Sequence, residues 1–216
     1  MDRPKKKGVF LFIILCVTIP AAMALVLPMA DREVCAQAGG IEQPLDVMPP
    51  FDGPLKYPFT KNDSMECGRW RSGSQDYPYF GAPRDGNTRK HAGIDLYPLQ
   101  GAGTPVKAVL DGKVIRVAPF YTRRNGEVTY GVLVDHGNFT ANYAELKKPP
   151  LSPGAIIKQG QIIGVVSGTN QLHFELYKPG TKNWFSWYGS GVPPGLIDPT
   201  GMMIRVFDMK SGEEKE

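Results

Sequence analysis

The sequence predicts an all-β domain behind an N-terminal apolar segment. The 216 residues include 25 glycines and 20 prolines, and this abundance favours short strands joined by turns. Apolar residues recur at the period of two that is typical of strands, and we predict no long helix. A chain of this length is expected to form one domain with short extensions.

Residues 1–30 are predicted to be a signal peptide or a membrane anchor. Arg3 and the lysines at 5–7 precede an uncharged, largely apolar run over residues 8–30, which is the pattern of an export signal. Ala22-Met23-Ala24 offers a cleavage site, but the run would also span a bilayer, at about 34 Å for 1.5 Å per residue. Both interpretations stay open. Either way we expect an exported protein that is periplasmic, secreted or anchored facing outward.

Residues 31–56 are predicted to be a linker or a loosely packed extension, because they are rich in proline, glycine and polar residues. This segment contains Cys35, and Cys67 follows it. A cut after Ala24 would let the two cysteines pair after export, whereas a cut after Ala38 would leave Cys67 alone. Neither cysteine has the C-x-x-C spacing of a redox or zinc motif.

Residues 57–208 are predicted to form the domain. The segment "TPVKAVLDGKVIRVA" alternates around Asp111-Gly112, which predicts a hairpin. "TYGVLVDHG" and "TANYAEL" predict the next strands, and "GAIIKQGQIIGVVSG" predicts two short ones around Gln159-Gly160. The tail, residues 209–216, has nothing to bury and is expected to be disordered.

The charge of the chain argues against a nucleic-acid partner. The formal net charge is +4 and is spread out, with local clusters such as Arg123-Arg124. Such a balance is compatible with an anionic polymer as a neighbour. Contact with a membrane is expected only through residues 1–30, if they are not cleaved.

The segment "HAGIDLY" carries a candidate metal-binding pair. His91 stands four residues before Asp95, and in a strand the side chains at 91, 93 and 95 point the same way. Gly93 between them is expected to leave room for an ion. The competing interpretation is a histidine that is merely packed and hydrogen-bonded, since H-x-x-x-D alone is a weak signal.

The segment "NQLHFELY" carries further candidate site residues. By strand parity Gln171, His173 and Glu175 share one face, and the alternate residues form an apolar face. Two imidazoles and the Asp95 carboxylate would leave the fourth position of a tetrahedral zinc open, as in catalytic zinc sites. Glu175 is then a candidate to accept a proton from a ligand imidazole and to fix its tautomer.

Four segments in order strengthen the zinc interpretation. "RKHAGIDLYPLQGAGTPVKAVLDGKVIRV", "YGVLVDHGNFTANYAEL", "GAIIKQGQIIGVVSG" and "LHFELY" resemble the lysostaphin-type (LytM-like) zinc endopeptidases, which cut peptide bonds in bacterial peptidoglycan. The resemblance runs from about residue 57 to about residue 196. It implies a β-rich duplicated-hybrid-motif fold with a groove over the sheet. It also implies that Zn²⁺ is held by His91, Asp95 and His173, with a peptidoglycan peptide or another extracellular polymer as partner.

Two positions depart from the family pattern. The first histidine of the family's H-x-H motif falls on Gln171, and the histidine of its Tyr-x-His-Leu motif falls on Glu145. In the family these two histidines contact the water and the developing oxyanion. Glu145 can act as general base if its carboxylate reaches the water, and Gln171 can donate one hydrogen bond to the substrate. His136, the remaining histidine, matches a position that the family uses structurally.

The sequence therefore leaves the function open between two main hypotheses. The first is an exported zinc metalloendopeptidase that acts on peptidoglycan, with Glu145 and Gln171 as catalytic residues. The second is a zinc-binding family member without hydrolysis, which serves as a cell-wall-binding or regulatory module. A carrier or efflux-adaptor hybrid barrel would explain "IIKQGQIIGVV", but such a domain needs neither H-x-x-x-D nor L-H-F-E.

Overall fold

The computed structural model of the chain describes residues 46–53, residue 55 and residues 78–213, of which residues 208–213 are described by their backbone alone. The predicted signal peptide or anchor, Cys35 and Cys67 lie outside the described residues. None of the helices described is long and apolar enough to cross a membrane. The described elements are β1 (Pro83–Arg84), a 3-10 helix (Asp85–Asn87), β2 (Arg89–Lys90), β3 (Ile94–Leu96), β4 (Pro105–Lys107), β5 (Gly112–Thr122), β6 (Val128–Asp135), β7 (Thr140–Leu146), β8 (Ile156–Ile157), β9 (Ile162–Val165), β10 (Leu172–Tyr177), β11 (Trp187–Tyr188), β12 (Leu196–Ile197) and α1 (Thr200–Glu213).

A seven-stranded sheet forms the centre of the domain. Its strands follow the order β12-β10-β7-β6-β5-β8, and β3 pairs with β10. Every pair in this sheet is antiparallel. Phe174 of β10 and Tyr143 of β7 point into the main core, whereas Tyr177 and Leu133 belong to a smaller apolar cluster. The predicted β-rich fold is confirmed for the described residues.

The predicted hairpin at Asp111-Gly112 is wrong. β4 pairs with β9 in a separate two-stranded sheet, while β5 pairs with β6 and β8. The Asp111 carboxylate accepts the backbone N–H of Gln159 at 2.8 Å and the ammonium of Lys158 at 2.7 Å. This residue therefore joins the start of β5 to the turn between β8 and β9. Alternation is a local property, whereas the pairing partner of a strand is not.

Part of the predicted linker is packed against the domain. Among the described residues of that segment, Phe51 and Leu55 are buried in the main core. The N–H of Lys107 donates to the carbonyl of Pro50 at 2.9 Å, and the N–H of Met48 donates to the carbonyl of Val109 at 3.0 Å. The proline-rich composition concealed these apolar anchors, so for these residues the expectation of loose packing is corrected.

The strand pattern did not predict α1, a helix of 14 residues that follows the last strand. Its first turn is set by Asp198, whose carboxylate accepts the N–H of Thr200 at 2.9 Å. Met202 and Met203 pack into the main core. The backbone remains helical to Glu213, inside the segment that was expected to be disordered. An Asp-Pro pair before an apolar stretch is a helix-start signal that the strand pattern obscured.

Candidate metal centre

Three elements bring the candidate ligands together. Asp95 on β3 lies directly opposite His173 on β10 in the antiparallel register. His91 precedes β3, and its N–H donates to the carbonyl of Ala82 at 2.9 Å. The expectation that residues 91, 93 and 95 follow one strand is therefore corrected. Backbone contacts of the preceding loop, and not strand parity, bring His91 to the site.

Gly93 has a different role from the expected one. A β-carbon at this position would lie 2.3 Å from the carbonyl oxygen of Phe174 and 3.0 Å from the side chain of Glu175. No side chain fits at such a distance from a backbone atom. The glycine therefore lets the loop before β3 approach β10, and the space beside it is filled by protein and not by an ion.

Three potential ligand atoms converge in the buried interior of the site. The Nε2 atom of His91 lies 2.9 Å from Nδ1 of His173, and Oδ1 of Asp95 lies 3.0 Å from Nδ1 of His173 and 3.2 Å from Nε2 of His91. Two ligands of a tetrahedral zinc are about 3.3 Å apart when the bonds are about 2.0 Å. The triangle is therefore slightly tighter than a zinc site, and a small expansion would accommodate the ion.

The outer nitrogen of each imidazole fixes its tautomer. Nδ1 of His91 lies 2.9 Å from the carbonyl oxygen of Tyr79, and Nε2 of His173 lies 2.9 Å from Oε1 of Glu175. A carbonyl and a carboxylate only accept, so each outer nitrogen carries the proton. Both inner nitrogens of the neutral rings then present lone pairs beside Asp95. Three acceptors in contact need a cation between them, and this donor set fits Zn²⁺.

Arg84 holds the outer oxygen of the Asp95 carboxylate. Its Nη2 atom lies 3.2 Å from Oδ2 of Asp95, and both side chains are almost fully buried. The other oxygen, Oδ1, is thus left to face the two imidazoles. Burial raises the pKa of Asp95, but the contacts with His91 and His173 outweigh burial and hold the pKa well below its usual range. Asp95 is therefore an anion at neutral pH.

Without a metal, a proton fills the same position between the ligands. Burial lowers the pKa of His173, but its hydrogen bonds to Asp95 and Glu175 outweigh burial and raise the pKa to about 10. Burial lowers the pKa of His91, so that ring is neutral. At neutral pH His173 consequently carries a proton on the nitrogen that faces Asp95.

We expect zinc affinity to rise with pH because a proton must leave His173 when the metal binds. The proton is present in the metal-free protein at every pH below the raised pKa of about 10. Between pH 6.5 and pH 9 the affinity should increase by about tenfold per pH unit, which is the slope for one displaced proton. Competition with a chelator of known affinity at several pH values measures this slope. A flat profile would contradict the proton count.

The structure places Glu145 within electrostatic reach of Asp95 and His173, and Gln171 hydrogen-bonds the Glu145 side chain. Glu145 lies in a β-bulge, where the register between β6 and β7 shifts, and its φ of 66° is in the left-handed region. Bulges next to functional sites commonly re-aim a side chain. Burial and the Asp95 charge raise the pKa of Glu145 to about 7, while the interaction with His173 and hydrogen bonds from Thr169 and Gln171 oppose this rise. Glu145 therefore lies within electrostatic reach of the cluster.

One oxygen of Glu145 has no protein partner. Its Oε2 atom is buried and makes no hydrogen bond to the described residues. A buried carboxylate oxygen without a donor is unfavourable unless a ligand or water molecule supplies one. This oxygen is therefore the atom of Glu145 that can receive a proton from a bound molecule. By contrast, both ring nitrogens of His136 are used inside the protein, by the Asp111 carbonyl and the Tyr143 hydroxyl.

Three residues that contact the site were not predicted from the sequence. Arg84 contacts Asp95, while Asn142 and Tyr177 both donate to the Glu175 carboxylate. Tyr177 has the parity of residues 171, 173 and 175, so one further step of the same argument would have found it. Asn142 is a polar residue within an entirely buried strand, which is itself a signal. Nothing local in the sequence marks Arg84.

The fold and the site define a mostly β domain with a buried His-Asp-His group whose ligand atoms could hold a metal ion. Residues 89–184 match the family model described as Peptidase family M23. This match confirms, for that region of the chain, the family resemblance that the four sequence segments carry.

Two curated relatives share this region. The glycyl-glycine endopeptidase ALE-1 of Staphylococcus capitis is 32% identical over 104 residues, which are 46% of this chain and 28% of the relative. The peptidoglycan DD-endopeptidase ShyC of Vibrio cholerae is 32% identical over 99 residues, which are 43% of this chain and 21% of the relative. The chain thus spans about a quarter of the length of these relatives.

Solved structures that are similar to this chain include the catalytic domain of the antimicrobial peptidase lysostaphin from Staphylococcus simulans. It is 25% identical to this chain, with a TM-score of 0.39, and the match covers 58% of this chain and 89% of that domain. A peptidase M23 structure from Pseudomonas aeruginosa is 22% identical, with a TM-score of 0.42, and the match covers 82% of this chain and 63% of that one.

Proposed function

We propose that the domain is a zinc metalloendopeptidase that hydrolyses peptide bonds of peptidoglycan. The observation that carries the proposal is the buried triangle of His91, Asp95 and His173, in which two inner ring nitrogens and one carboxylate oxygen lie within 3.2 Å of one another. Three protein ligands leave one position of a tetrahedral metal for water or substrate. The two curated relatives, which their names describe as endopeptidases, support the reaction class.

The chemistry that zinc supplies in such a site is the acidification of a water molecule and the polarisation of a substrate carbonyl. Within this chain, Glu145 is the proton acceptor, since its pKa of about 7 in the metal-free protein is near the value suited to a general base. Gln171 donates an amide hydrogen bond to the substrate oxygen. Arg84 binds Oδ2 of Asp95 and so leaves Oδ1 facing the two imidazoles that would hold the metal with it.

One observation favours the alternative, a zinc-binding module without hydrolysis. The two positions that carry the catalytic histidines in the resembled family are Glu145 and Gln171 here, and Glu145 is only 7% exposed. A neutral amide cannot shuttle a proton, and a buried base has restricted access to water. In that case the same metal would stabilise a domain that binds cell-wall peptides without cutting them.

The proposal is tested by measuring the zinc content of the protein and the amino groups that it releases from purified peptidoglycan. We also propose that the protein is exported, because residues 1–30 have the export-signal pattern. Protein isolated from the exported fraction is therefore used, and its intact mass distinguishes a chain cut near Ala24 from an uncut one. We expect one zinc per chain and new amino groups released from purified peptidoglycan, with loss of both after chelation and recovery after zinc is returned.

One outcome would contradict the proposal that this protein is an enzyme. A protein with one zinc per chain that releases no amino groups from neutral to alkaline pH would be the binding module. A protein that binds no zinc would remove both hypotheses, because each relies on the same three ligands.

A further inference from the structure

The side chain of Glu175 is held by two donors that lie away from the metal ligands. Its Oε1 atom accepts the Nε2 proton of His173 at 2.9 Å. Its Oε2 atom accepts two hydrogen bonds, from Nδ2 of Asn142 at 2.7 Å and from the hydroxyl of Tyr177 at 2.9 Å. We propose that Asn142 and Tyr177 are positioning residues, which set the orientation of the His173 ring through Glu175. This inference rests on the proposed zinc site.

The register of the sheet places these donors. Asn142 on β7 is the direct antiparallel partner of Glu175 on β10. Tyr177 follows Glu175 by two residues on the same strand, so both side chains leave β10 on one face. All three side chains are buried. Rigid strands in one sheet therefore supply every member of the network, which is the arrangement that holds a site most accurately.

The direction of the Tyr177 hydrogen bond is fixed by a third contact. The backbone N–H of Phe185 donates to the Tyr177 oxygen at 3.1 Å. The hydroxyl accepts at this side, and its single proton points to Oε2 of Glu175. Because the terminal torsion of a glutamate is otherwise broad, these external donors are needed to hold the carboxylate plane. A fixed plane keeps Oε1 aligned with Nε2 of His173, and therefore keeps Nδ1 aimed at the metal position.

Aromatic side chains cover this network from outside. A β-carbon on Gly131 would lie 2.9 Å from Oδ1 of Asn142 and 3.3 Å from the ring of Trp184, so Trp184 packs over the strand beside Asn142. The guanidinium of Arg116 lies 4.3 Å from the centre of the Trp184 ring. The Phe120 ring lies 5.2 Å from the His173 ring and 6.1 Å from the Trp184 ring, measured between centroids. Reduced access of water strengthens the hydrogen bonds beneath.

If the network were purely structural, its loss would lower the stability of the domain but not its zinc affinity. A matched pair of variants distinguishes this role from the positioning role. Tyr177→Phe removes the donor to Glu175. Tyr143→Phe removes another fully buried hydroxyl, which contacts the N–H of Val109 and the ring of His136 in the main core. We expect both variants to fold with a similar fall in Tm. The zinc dissociation constant should rise about 10- to 100-fold for Tyr177→Phe and stay within about twofold of wild type for Tyr143→Phe.

A second readout does not need the metal or enzyme activity. The ring proton on Nε2 of His173 should give a downfield nuclear magnetic resonance signal that is protected from exchange with water, in both the zinc-loaded and the metal-free wild type. Tyr177→Phe and Asn142→Leu should each speed its exchange by about tenfold or more, whereas Tyr143→Phe should leave it unchanged. Asn142→Leu removes the amide donor while keeping a similar side-chain size.

Two results would overturn the inference. The first is wild-type zinc affinity together with wild-type exchange of the His173 proton in Tyr177→Phe and Asn142→Leu. The second is an equal loss of zinc affinity in Tyr143→Phe, which would assign the effect to general destabilisation. If the wild type binds no zinc, the proposed function fails, and exchange of the ring proton in the metal-free protein still decides whether Asn142 and Tyr177 position His173.

Discussion

The His173→Ala protein is expected to bind no stoichiometric zinc and to release no amino groups from peptidoglycan. Structural zinc sites with four ligands contribute about 10–16 kcal/mol, or about 2.5–4 kcal/mol per ligand, so the loss of one ligand should lower the zinc affinity by about 10²- to 10³-fold. The loss also leaves Oε1 of Glu175 and Oδ1 of Asp95 without their hydrogen bonds to the ring. Elemental analysis after dialysis against a weak chelator measures the zinc content. His91→Ala should behave in the same way.

The matched control for this variant is His136→Ala. This ring is also buried, but it contacts the Asp111 carbonyl and the Tyr143 hydroxyl. Its loss should lower the stability of the domain by about 1–3 kcal/mol without removing the metal from folded protein. One zinc per chain in His173→Ala would show that the ligand assignment is wrong. Loss of zinc from folded His136→Ala would do the same.

The part of the site that lies on one regular strand could be predicted from the sequence. His173 and Glu175 lie on one face of β10 because side chains alternate along a strand, whatever that strand pairs with. Phe174 packs into the main core, as the same parity requires. The identity of the residue opposite each of them depends on the register between strands, so the bond between Glu175 and Asn142 was not predicted.

The contacts that depend on loops could not be derived from spacing. Asp95 stands four positions after His91, but the strand starts only at Ile94. The position of His91 depends on backbone hydrogen bonds to residues 81 and 82. Arg84 reaches Asp95 from the β1–β2 hairpin, 11 residues earlier in the chain. Proximity of this kind is created by tertiary packing and leaves no periodic trace in the sequence.

Glu145→Gln is expected to keep zinc bound while turnover on peptidoglycan falls about 10²- to 10⁴-fold. The substitution keeps the size of the side chain but removes the group that accepts the proton. In the wild type, activity should rise as pH increases through the pKa of Glu145, because only the carboxylate form accepts a proton. That pKa is about 7 without metal, and a neighbouring cation moves it lower. Paired measurements of zinc content and released amino groups check the result.

A carboxylate elsewhere on the sheet provides the control for Glu145→Gln. Asp111 binds Lys158 and the backbone of Gln159 at the start of β5. Asp111→Asn should therefore leave both zinc content and turnover at the wild-type level. Wild-type turnover in Glu145→Gln would remove this residue from the role of general base, whatever the metal content.

The double variant Glu145→His with Gln171→His separates a working glutamate-based site from an inactive scaffold. Zinc with one aspartate and two neutral imidazoles carries a net charge of about +1, and the Glu145 carboxylate cancels that charge and weakens the acidification of the water. If the wild type is an enzyme, the double variant should gain no turnover, and its activity should begin at lower pH. The opposite result is a wild type that holds zinc but cuts nothing from neutral to alkaline pH, with a double variant that cuts peptidoglycan. The domain is then a zinc-stabilised binding module, because its three ligands suffice to bind the metal but not to catalyse hydrolysis.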